Sequence, residues 1–200
     1  MTDQLDFGSY ENAGVVTAAA LVNALAIEHA FGRPLERVDP LAPIRRILAN
    51  DPTWPAVRRR DVPGLVELAA RLRHVFDALH LGDLDGAAER LNVLLAAHPA
   101  HPHLAKDDGT WHLHHHPAEA ALVPMATAIS AEAVARVIGA GAASRLGTCD
   151  AQDCERVFLD SSKNVSRRFC STTCQNRSKA AAFRRRHTPN HNRRHDPAVS

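Results

Sequence analysis

The chain has 200 residues, of which 45% are hydrophobic, 4% aromatic and 23% charged. This length allows one domain with a sizeable core and a small appended module, but it is short for two full domains. The formal net charge of +2 conceals an asymmetry. Residues 156–195 hold 11 of the 24 Lys and Arg and one acid, which gives +10, and the remainder carries 13 minus 21, or −8. Only the basic carboxyl end is therefore expected to seek phosphate.

The compartment is predicted from the absence of export signals. The amino-terminal segment MTDQLDFGSYE is acidic, and the first apolar stretch, Val15 to Ala26, lacks a basic flank. No stretch approaches the roughly 20 apolar residues that span a bilayer. We therefore expect a cytoplasmic protein, in which clustered cysteines are metal ligands rather than disulfides.

Helices are expected to dominate the first three quarters, because alanine is abundant and β-branched runs are short. Four are predicted in the first half, at residues 14–30, 41–50, 62–82 and 84–98. The third has the clearest amphipathic spacing. Its apolar positions are Leu65, Leu68, Leu72, Val75, Phe76 and Leu79.

Two polar or aromatic side chains among these helices are candidate pocket residues. Asn23 interrupts an apolar stretch and Trp54 follows the second helix, so both could line a small-molecule pocket in a sensor domain. The alternative is that Asn23 satisfies backbone groups and Trp54 fills a loop. The sequence shows no nucleophile–base pair, phosphate-binding glycine loop or catalytic metal spacing, so the protein is not predicted to be an enzyme.

A β-hairpin is predicted within residues 98–117, where Asp108-Gly109 is a turn signal between two short extended runs. Strand alternation predicts outward side chains at His112, His114 and His116, facing His101 and His103 of the partner strand, and inward side chains at Trp111, Leu113 and His115. The outward histidines are interpreted as polar decoration, with a second metal site or a pH-responsive patch as the alternative.

One further helix is predicted at residues 118–146, interrupted near Pro124 and running directly into Cys149. Its predicted core positions are Leu122, Met125, Ile129, Val134, Val137 and Ile138. Residues 188–200 have the composition of a basic flexible tail.

All four cysteines of the chain, Cys149, Cys154, Cys170 and Cys174, lie in one C-x4-C-x15-C-x3-C arrangement. Four thiolates suit one tetrahedral Zn²⁺, and such a closed set is structural rather than catalytic. The four-residue spacing of the last pair fits the first turn of a helix, with Ser171 near its cap. Iron, disulfides and free thiols remain alternatives.

A basic helix is predicted at about residues 171–187. Arg177 and Arg184 would share one face, and Lys179 and Arg186 would share roughly the opposite one. One charged face could lie in a nucleic-acid groove while the other contacts flanking phosphates, and Phe183 would pack against Val157 or Phe158. The candidate nucleic-acid-binding residues are Lys163, Asn164, Arg167, Arg168, Asn176, Arg177, Lys179, Arg184, Arg185 and Arg186. The alternatives are cations that only offset the thiolate charge and a helix end that is merely solvated.

The segment CDAQDCERVFLDSSKNVSRRFCSTTCQNRSKAAAFRRRH closely resembles the CGNR zinc-finger family. The matching residues are Phe158, Asp160, Ser162, Asn164, Ser166, Arg167, Arg168, Cys174, Asn176 and Arg177. Upstream, LVN at 21–23, RPLERVDPL at 33–41 and the tryptophan-containing hairpin resemble the helical ABATE domain that accompanies this finger. The resemblance implies a bacterial, stress-related transcriptional regulator with a DNA-binding finger and a ligand-sensing domain.

One residue departs from the family pattern, because Gln175 stands where the motif has glycine. Gln favours helical geometry at this position and argues against a close backbone approach to phosphate. Asp160 is expected to pair bidentately with Arg167 or Arg168. Asn164 and Asn176 could read adenine edges or satisfy local backbone groups.

The expected architecture is mainly α: a helical domain at 1–146 with one small β-hairpin, a treble-clef-like four-cysteine zinc finger at 147–187 and a tail at 188–200. The leading functional prediction is a DNA-binding transcriptional regulator with one structural Zn²⁺, acting on double-stranded DNA, with a possible homodimer and a small-molecule effector. An RNA-binding or protein-interaction zinc module is the alternative. No membrane contact is expected.

Overall fold

The computed structural model describes residues 13–49, 53–99, 101–107, 109–114 and 119–187. Within these ranges the helices are α1 (Ala13–Leu25), α2 (Leu41–Leu48), α3 (Val62–His80), α4 (Leu84–Ala97), α5 (Leu122–Gly139) and α6 (Thr172–His187). The strands are β1 (His29–Ala30), β2 (Arg33–Pro34), β3 (His103–Asp107), β4 (Thr110–His114), β5 (Leu146–Thr148) and β6 (Val157–Leu159), paired β1-β2, β3-β4 and β5-β6, all antiparallel. The mainly α prediction is confirmed.

The apolar core lies among α1, α3, α4 and α5. Helix α1 packs against α3 and α5, and α4 packs against the same two helices. Phe76, Leu21, Leu65 and Leu72 are fully buried there, each contributing roughly 1.5–3 kcal/mol by burial. Among the described helices α5 alone is long and apolar enough to cross a membrane, but more than half of it is buried within the protein, as a core helix is.

Helix α3 follows its predicted pattern. Of the six predicted positions all but Leu79 are buried, and Leu79 is half-buried against the core. The helix ends at His80, and Gly82 just beyond it has a φ of 77°, which glycine adopts readily, and an N–H that donates to the Leu79 carbonyl at 3.1 Å. Asp83 then caps α4 by accepting a hydrogen bond from the Gly86 N–H at 2.9 Å.

Helix α1 is shorter than predicted. The expected helix continued to residue 30, but α1 ends at Leu25 and β1 begins at His29. The cause is the tight turn between β1 and β2, in which Phe31 (φ 55°) and Gly32 (φ 85°) both adopt left-handed geometry. The sequence did not predict this hairpin, because the alanine-rich helical composition before it continues to residue 30 without a strand pattern.

The predicted helix 118–146 is also wrong at its end. Helix α5 stops at Gly139, Gly141 takes a φ of 70°, and β5 rather than a helix leads into Cys149. Pro124 lies in the first turn of α5, where a missing N–H costs no helical hydrogen bond, so it does not interrupt the helix.

The β3-β4 hairpin forms around its predicted turn, but its faces are reversed. Trp111 and Leu113 are 65% and 49% exposed, whereas His114 is only 6% exposed and stacks on His103 with ring centroids 5.4 Å apart. His101 precedes β3 instead of lying within it. The polar face therefore turns inward, because alternation alone does not say which side of a peripheral hairpin meets the body. His115, His116 and the side chain of His112 lie outside what the structure describes, as do residues 188–200.

Candidate metal centre and nucleic-acid interface

The β5-β6 hairpin and the start of α6 bring the four cysteines together. Cys149 directly follows β5, and its N–H donates to the Arg156 carbonyl at 2.9 Å across the loop that carries Cys154. Cys170 precedes α6 and Cys174 lies in its first turn. Two cysteines, Cys149 and Cys154, come from a short hairpin, and the other two come from the amino terminus of a helix. This is the treble-clef-like arrangement that was predicted.

The sulfur atoms have metal-site spacing. All four Sγ atoms lie within 4.8 Å of one another. The Cys154–Cys170, Cys174–Cys154 and Cys170–Cys174 sulfur distances are 3.8, 3.7 and 3.6 Å. A tetrahedral ion with bonds of about 2.3 Å requires sulfurs roughly 3.8 Å apart, whereas a disulfide requires about 2.05 Å. The donor set therefore fits one zinc-sized cation, and the four cysteines form no disulfide in this structure.

The electrostatics of the four cysteines also favour a bound cation. Burial raises the pKa of Cys149, and burial together with the negative charge of Cys149 raises the pKa of Cys170. Burial also opposes ionisation of Cys154, but N–H donors from Arg156 and Phe31 outweigh it and lower the pKa of that thiol. Four crowded thiolates are stable together only when a metal offsets their charge.

The helix start is built as the spacing predicted. The Ser171 hydroxyl accepts a hydrogen bond from the Cys174 N–H at 3.3 Å, which caps α6 and fixes the last ligand pair. Gln175 continues the helix and its N–H donates to the Ser171 carbonyl at 3.1 Å. The expectation of helical geometry at the position where the family has glycine is confirmed.

Asp160 organises the loop before Cys170, but not by the predicted ion pair. It is 1% exposed, and its carboxylate accepts hydrogen bonds from the backbone N–H groups of Ser162 and Arg167, both at 2.8 Å. Burial opposes its ionisation, yet hydrogen bonds from Ser162 and Arg167 prevail and lower its pKa. A buried carboxylate that satisfies two backbone donors folds the loop, so the guanidinium pairing expected from sequence is wrong.

The guanidinium groups near Asp160 have other partners. Arg167 donates to the carbonyls of Phe169, at 3.0 Å, and Cys170, and lies over the Phe158 ring. Arg168 pairs with Asp150 at 2.8 Å. Both side chains are nonetheless on an exposed loop with Lys163 and Asn164. These contacts position the two arginines without removing them from the surface.

The half-buried side chain of Arg177 points toward the finger. Its guanidinium donates to the Gln152 carbonyl at 2.9 Å and lies 3.9 Å from Cys174 Sγ. Arg177 is therefore engaged with the finger in this structure, and nucleic-acid docking through Arg177 and Arg184 stays a prediction. Phe183 is also not packed against Val157 or Phe158, since it is 56% exposed and stacks on His187.

Another surface of α6, apart from Arg177, faces solvent along the length of the helix. We call it the outward stripe: Asn176, Lys179, Phe183 and Arg186, which are spaced three or four residues apart and are all exposed. Residues 183–187 are exposed all the way around the helix, so the last turns project from the body. Arg184 and Arg185 add charge on the flanks of this projection.

Asn23 joins the helices to the finger. Its amide donates to the Val157 carbonyl at 2.9 Å and accepts from the Val157 N–H at 2.8 Å, so it pairs with β6 as a strand would. Leu146 and Val157 also belong to the apolar core of the helices. Trp54 is half-buried against that core and does not share the groove that Asn23 borders.

Three further contacts across this junction were not anticipated. Glu155 accepts from the Glu28 N–H at 2.7 Å and approaches His29 Nδ1 at 3.2 Å, and Arg73 donates to the Glu155 carbonyl. Burial opposes ionisation of the Glu155 carboxylate, but the hydrogen bonds from Glu28 and His29 and the charge of Arg73 outweigh it and lower the pKa of Glu155. The partners are 82 to 127 residues apart, so neither spacing nor periodicity marks them in the sequence.

Comparison with known families agrees with this construction. Residues 15–146 match the ABATE family, described as "Putative stress-induced transcription regulator", and residues 145–187 match the CGNR zinc finger. The first match covers more than half of the chain, so the protein belongs to the ABATE family and carries a CGNR zinc finger at its carboxyl end. No curated protein matches the chain.

Proposed function

We propose that this protein is a DNA-binding transcriptional regulator of the bacterial cytoplasm. One structural Zn²⁺ holds the finger, and the outward stripe of α6 contacts double-stranded DNA. The observation that carries the proposal is the projecting end of α6, which is exposed on all sides and carries Arg184, Arg185 and Arg186. A helix without an apolar face gains little from packing, which fits a surface built for a polyanionic partner.

The geometry suits a major groove. An α-helix fits that groove, and the stripe places an amide, two cations and an aromatic ring on one side. Asn176 can pair with an adenine edge and Phe183 can contact a thymine methyl, while Lys179 and Arg186 reach phosphate or guanine. The exposed loop cations at Lys163, Arg167 and Arg168 supply flanking phosphate contacts. Four to six phosphate contacts give a log K against log salt slope of about −4 to −5.

The test replaces both stripe cations in the full chain, Lys179→Ala with Arg186→Ala, and measures anisotropy of a labelled random-sequence DNA duplex across a salt series. We expect weaker binding and a salt slope reduced by about 2. The matched control is Arg90→Ala with Lys106→Ala, which removes the same charge from exposed positions outside the finger. Equal losses in both variants would show a diffuse charge effect, and no loss in either would refute the stripe as the interface.

The same assay separates the alternative partners. A structured RNA hairpin and the DNA duplex compete for the full chain at one salt concentration. Stronger competition by RNA would assign the finger to RNA, since phosphate attraction alone does not choose between them. No binding to either nucleic acid at low salt would instead favour a protein partner for the basic helix.

An effector site is proposed in the groove beside Asn23. The groove has a volume of about 800 Å³ and is lined by apolar side chains such as Leu25, Ile27 and Val66, with Arg46 at its margin. That volume suits a small molecule, and the β1-β2 hairpin forms one wall. A homodimer is part of the same proposal, because two fingers read a longer site than one. Sedimentation of the full chain with and without DNA tests the dimer.

A further inference from the structure

The β1-β2 turn of the helical region reaches the metal centre. Phe31 packs against the cysteine side chains. The Gly32 N–H donates to the Asp153 carbonyl at 2.9 Å, within the loop that holds Cys154. The guanidinium of Arg156 lies over the Phe31 ring, 5.2 Å from its centroid. A turn far from the cysteines in sequence thus packs against the ligand cluster through Phe31 and bonds to its loop through Gly32.

Arg177 closes the other side of this contact. A Cβ at Gly32 would lie 1.9 Å from Nη2 and 2.2 Å from Cζ of Arg177, so only glycine allows the guanidinium to lie there. Gly32 also has a φ of 85°, in the left-handed region. From this position Arg177 donates to Gln152 and approaches Cys174 Sγ. The glycine and the arginine therefore fit each other across the junction.

A second pair of hydrogen bonds holds the hairpin in register with the finger. The Glu155 N–H donates to the His29 carbonyl at 3.0 Å, and the Glu155 carboxylate accepts from the Glu28 N–H at 2.7 Å. The turn is consequently anchored on both sides of Cys154. Its position does not depend on the Phe31 contact alone.

We propose that the Phe31–Gly32 turn is part of the metal site, where it positions Cys154 and Arg177 and slows the loss of zinc. Hydrogen-bond donors around the ligands stabilise thiolate charge and fix ligand orientation, and loss of such partners typically lowers metal affinity by about 10- to 100-fold. The inference takes zinc occupancy from the proposed function but is independent of DNA binding. It makes the helical region a determinant of metal retention by the finger.

The experiment measures the rate of zinc transfer from the zinc-loaded full chain to excess pyridylazo-resorcinol. Gly32→Ala is expected to speed transfer by at least about tenfold. Gly109→Ala is the matched control, because Gly109 has a nearly identical φ of 84° and open space around its Cβ position. The control reports the cost of left-handed geometry without any contact to the finger, and its transfer rate should stay within about twofold of the parent rate.

A double variant distinguishes this mechanism from general destabilisation. Arg177→Ala is expected to speed transfer by itself, and Gly32→Ala added to it should have little further effect, because the new Cβ then has room. Additive effects, or equal rates for folded Gly32→Ala and Gly109→Ala proteins, would overturn the inference. If the parent protein binds no zinc, the proposed metal fails instead, so the two failures are distinguishable.

Discussion

The helical region and the finger are held together by different forces. The helices bury side chains such as Phe76 and Leu72 completely, whereas the finger has four thiols, a buried carboxylate at Asp160 and few large apolar side chains. Burial stabilises the first by roughly 25 cal/mol per Å². Under the proposed function, a metal ion bound by the four cysteines stabilises the second. The finger can therefore present a polar, basic surface without an apolar core as large as that of the helices.

The junction shows how the two kinds of region are combined. The apolar core continues into β5 and β6 through Leu146 and Val157, while Asn23 pairs with the backbone of β6. Polar contacts from Glu155 and Gly32 then extend this attachment to the metal loop. The finger is therefore docked on the helices by both apolar and hydrogen-bonded contacts, and a change on either side reaches the other.

The largest expected effect comes from removing a metal ligand. Cys174→Ser should abolish zinc binding and unfold the finger, because structural zinc contributes an apparent 10–16 kcal/mol at sites of about this kind. The helical signal in far-ultraviolet circular dichroism should fall by about the contribution of α6, while the contribution of the other helices stays. Thr173→Ser, an exposed neighbour, should retain both zinc and helix. Loss of all helical signal would contradict the separate stabilisation of the two regions, since the helices of the first region would then also depend on the metal.

Two phenylalanines contrast burial with exposure. Phe76→Ala should lower the free energy of unfolding by about 3–5 kcal/mol, because Phe76 is 1% exposed in the core. Phe183→Ala, at 56% exposure on α6, should change it by less than about 0.5 kcal/mol. Urea denaturation of the zinc-loaded chain measures both. A large loss from Phe183 would mean that α6 is packed and does not project.

The junction is tested by Asn23→Ala. Removing the amide leaves the N–H and carbonyl of Val157 without their partners, which should lower the free energy of unfolding by about 2 kcal/mol. Asn92→Ala, an exposed asparagine on α4, is the control and should be close to neutral. Urea denaturation again gives the values. Equal stabilities of the two variants would show that the amide contributes nothing to the attachment.

The buried carboxylate gives the smallest effect and a pH dependence. Asp160→Asn should lower the free energy of unfolding by about 1.5 kcal/mol at neutral pH, because charge-assisted bonds to Ser162 and Arg167 weaken. The folded pKa of Asp160 is lowered, so its contribution is present above its ordinary pKa of about 3.9 and is lost as pH falls through the folded value. Urea denaturation should show the difference from the parent narrowing only below about pH 4. A difference that already narrows near pH 6 would contradict the lowered pKa.

Spacing patterns in the sequence predicted the features that depend on residues close together in the chain. The spacing of Leu65, Leu68 and Leu72 predicted α3, and the cysteine spacing predicted the ligand cluster and its Ser171 cap. The faces of the β3-β4 hairpin, the inward course of Arg177 and the pairing of Asn23 with Val157 could not be predicted in this way. Each depends on residues far apart in the chain, and alternation or helical spacing carries no information about such partners.

Under the proposed function, a metal ion bound by the four cysteines holds the basic helix in place for DNA. The most direct measurement is anisotropy of a labelled duplex with the full chain as purified, after zinc removal by a chelator, and after zinc is restored. We expect tight, salt-dependent binding that is lost on chelation and recovered with zinc. Binding that survives complete zinc removal would contradict it, because the tetrathiolate centre would then not organise the interface.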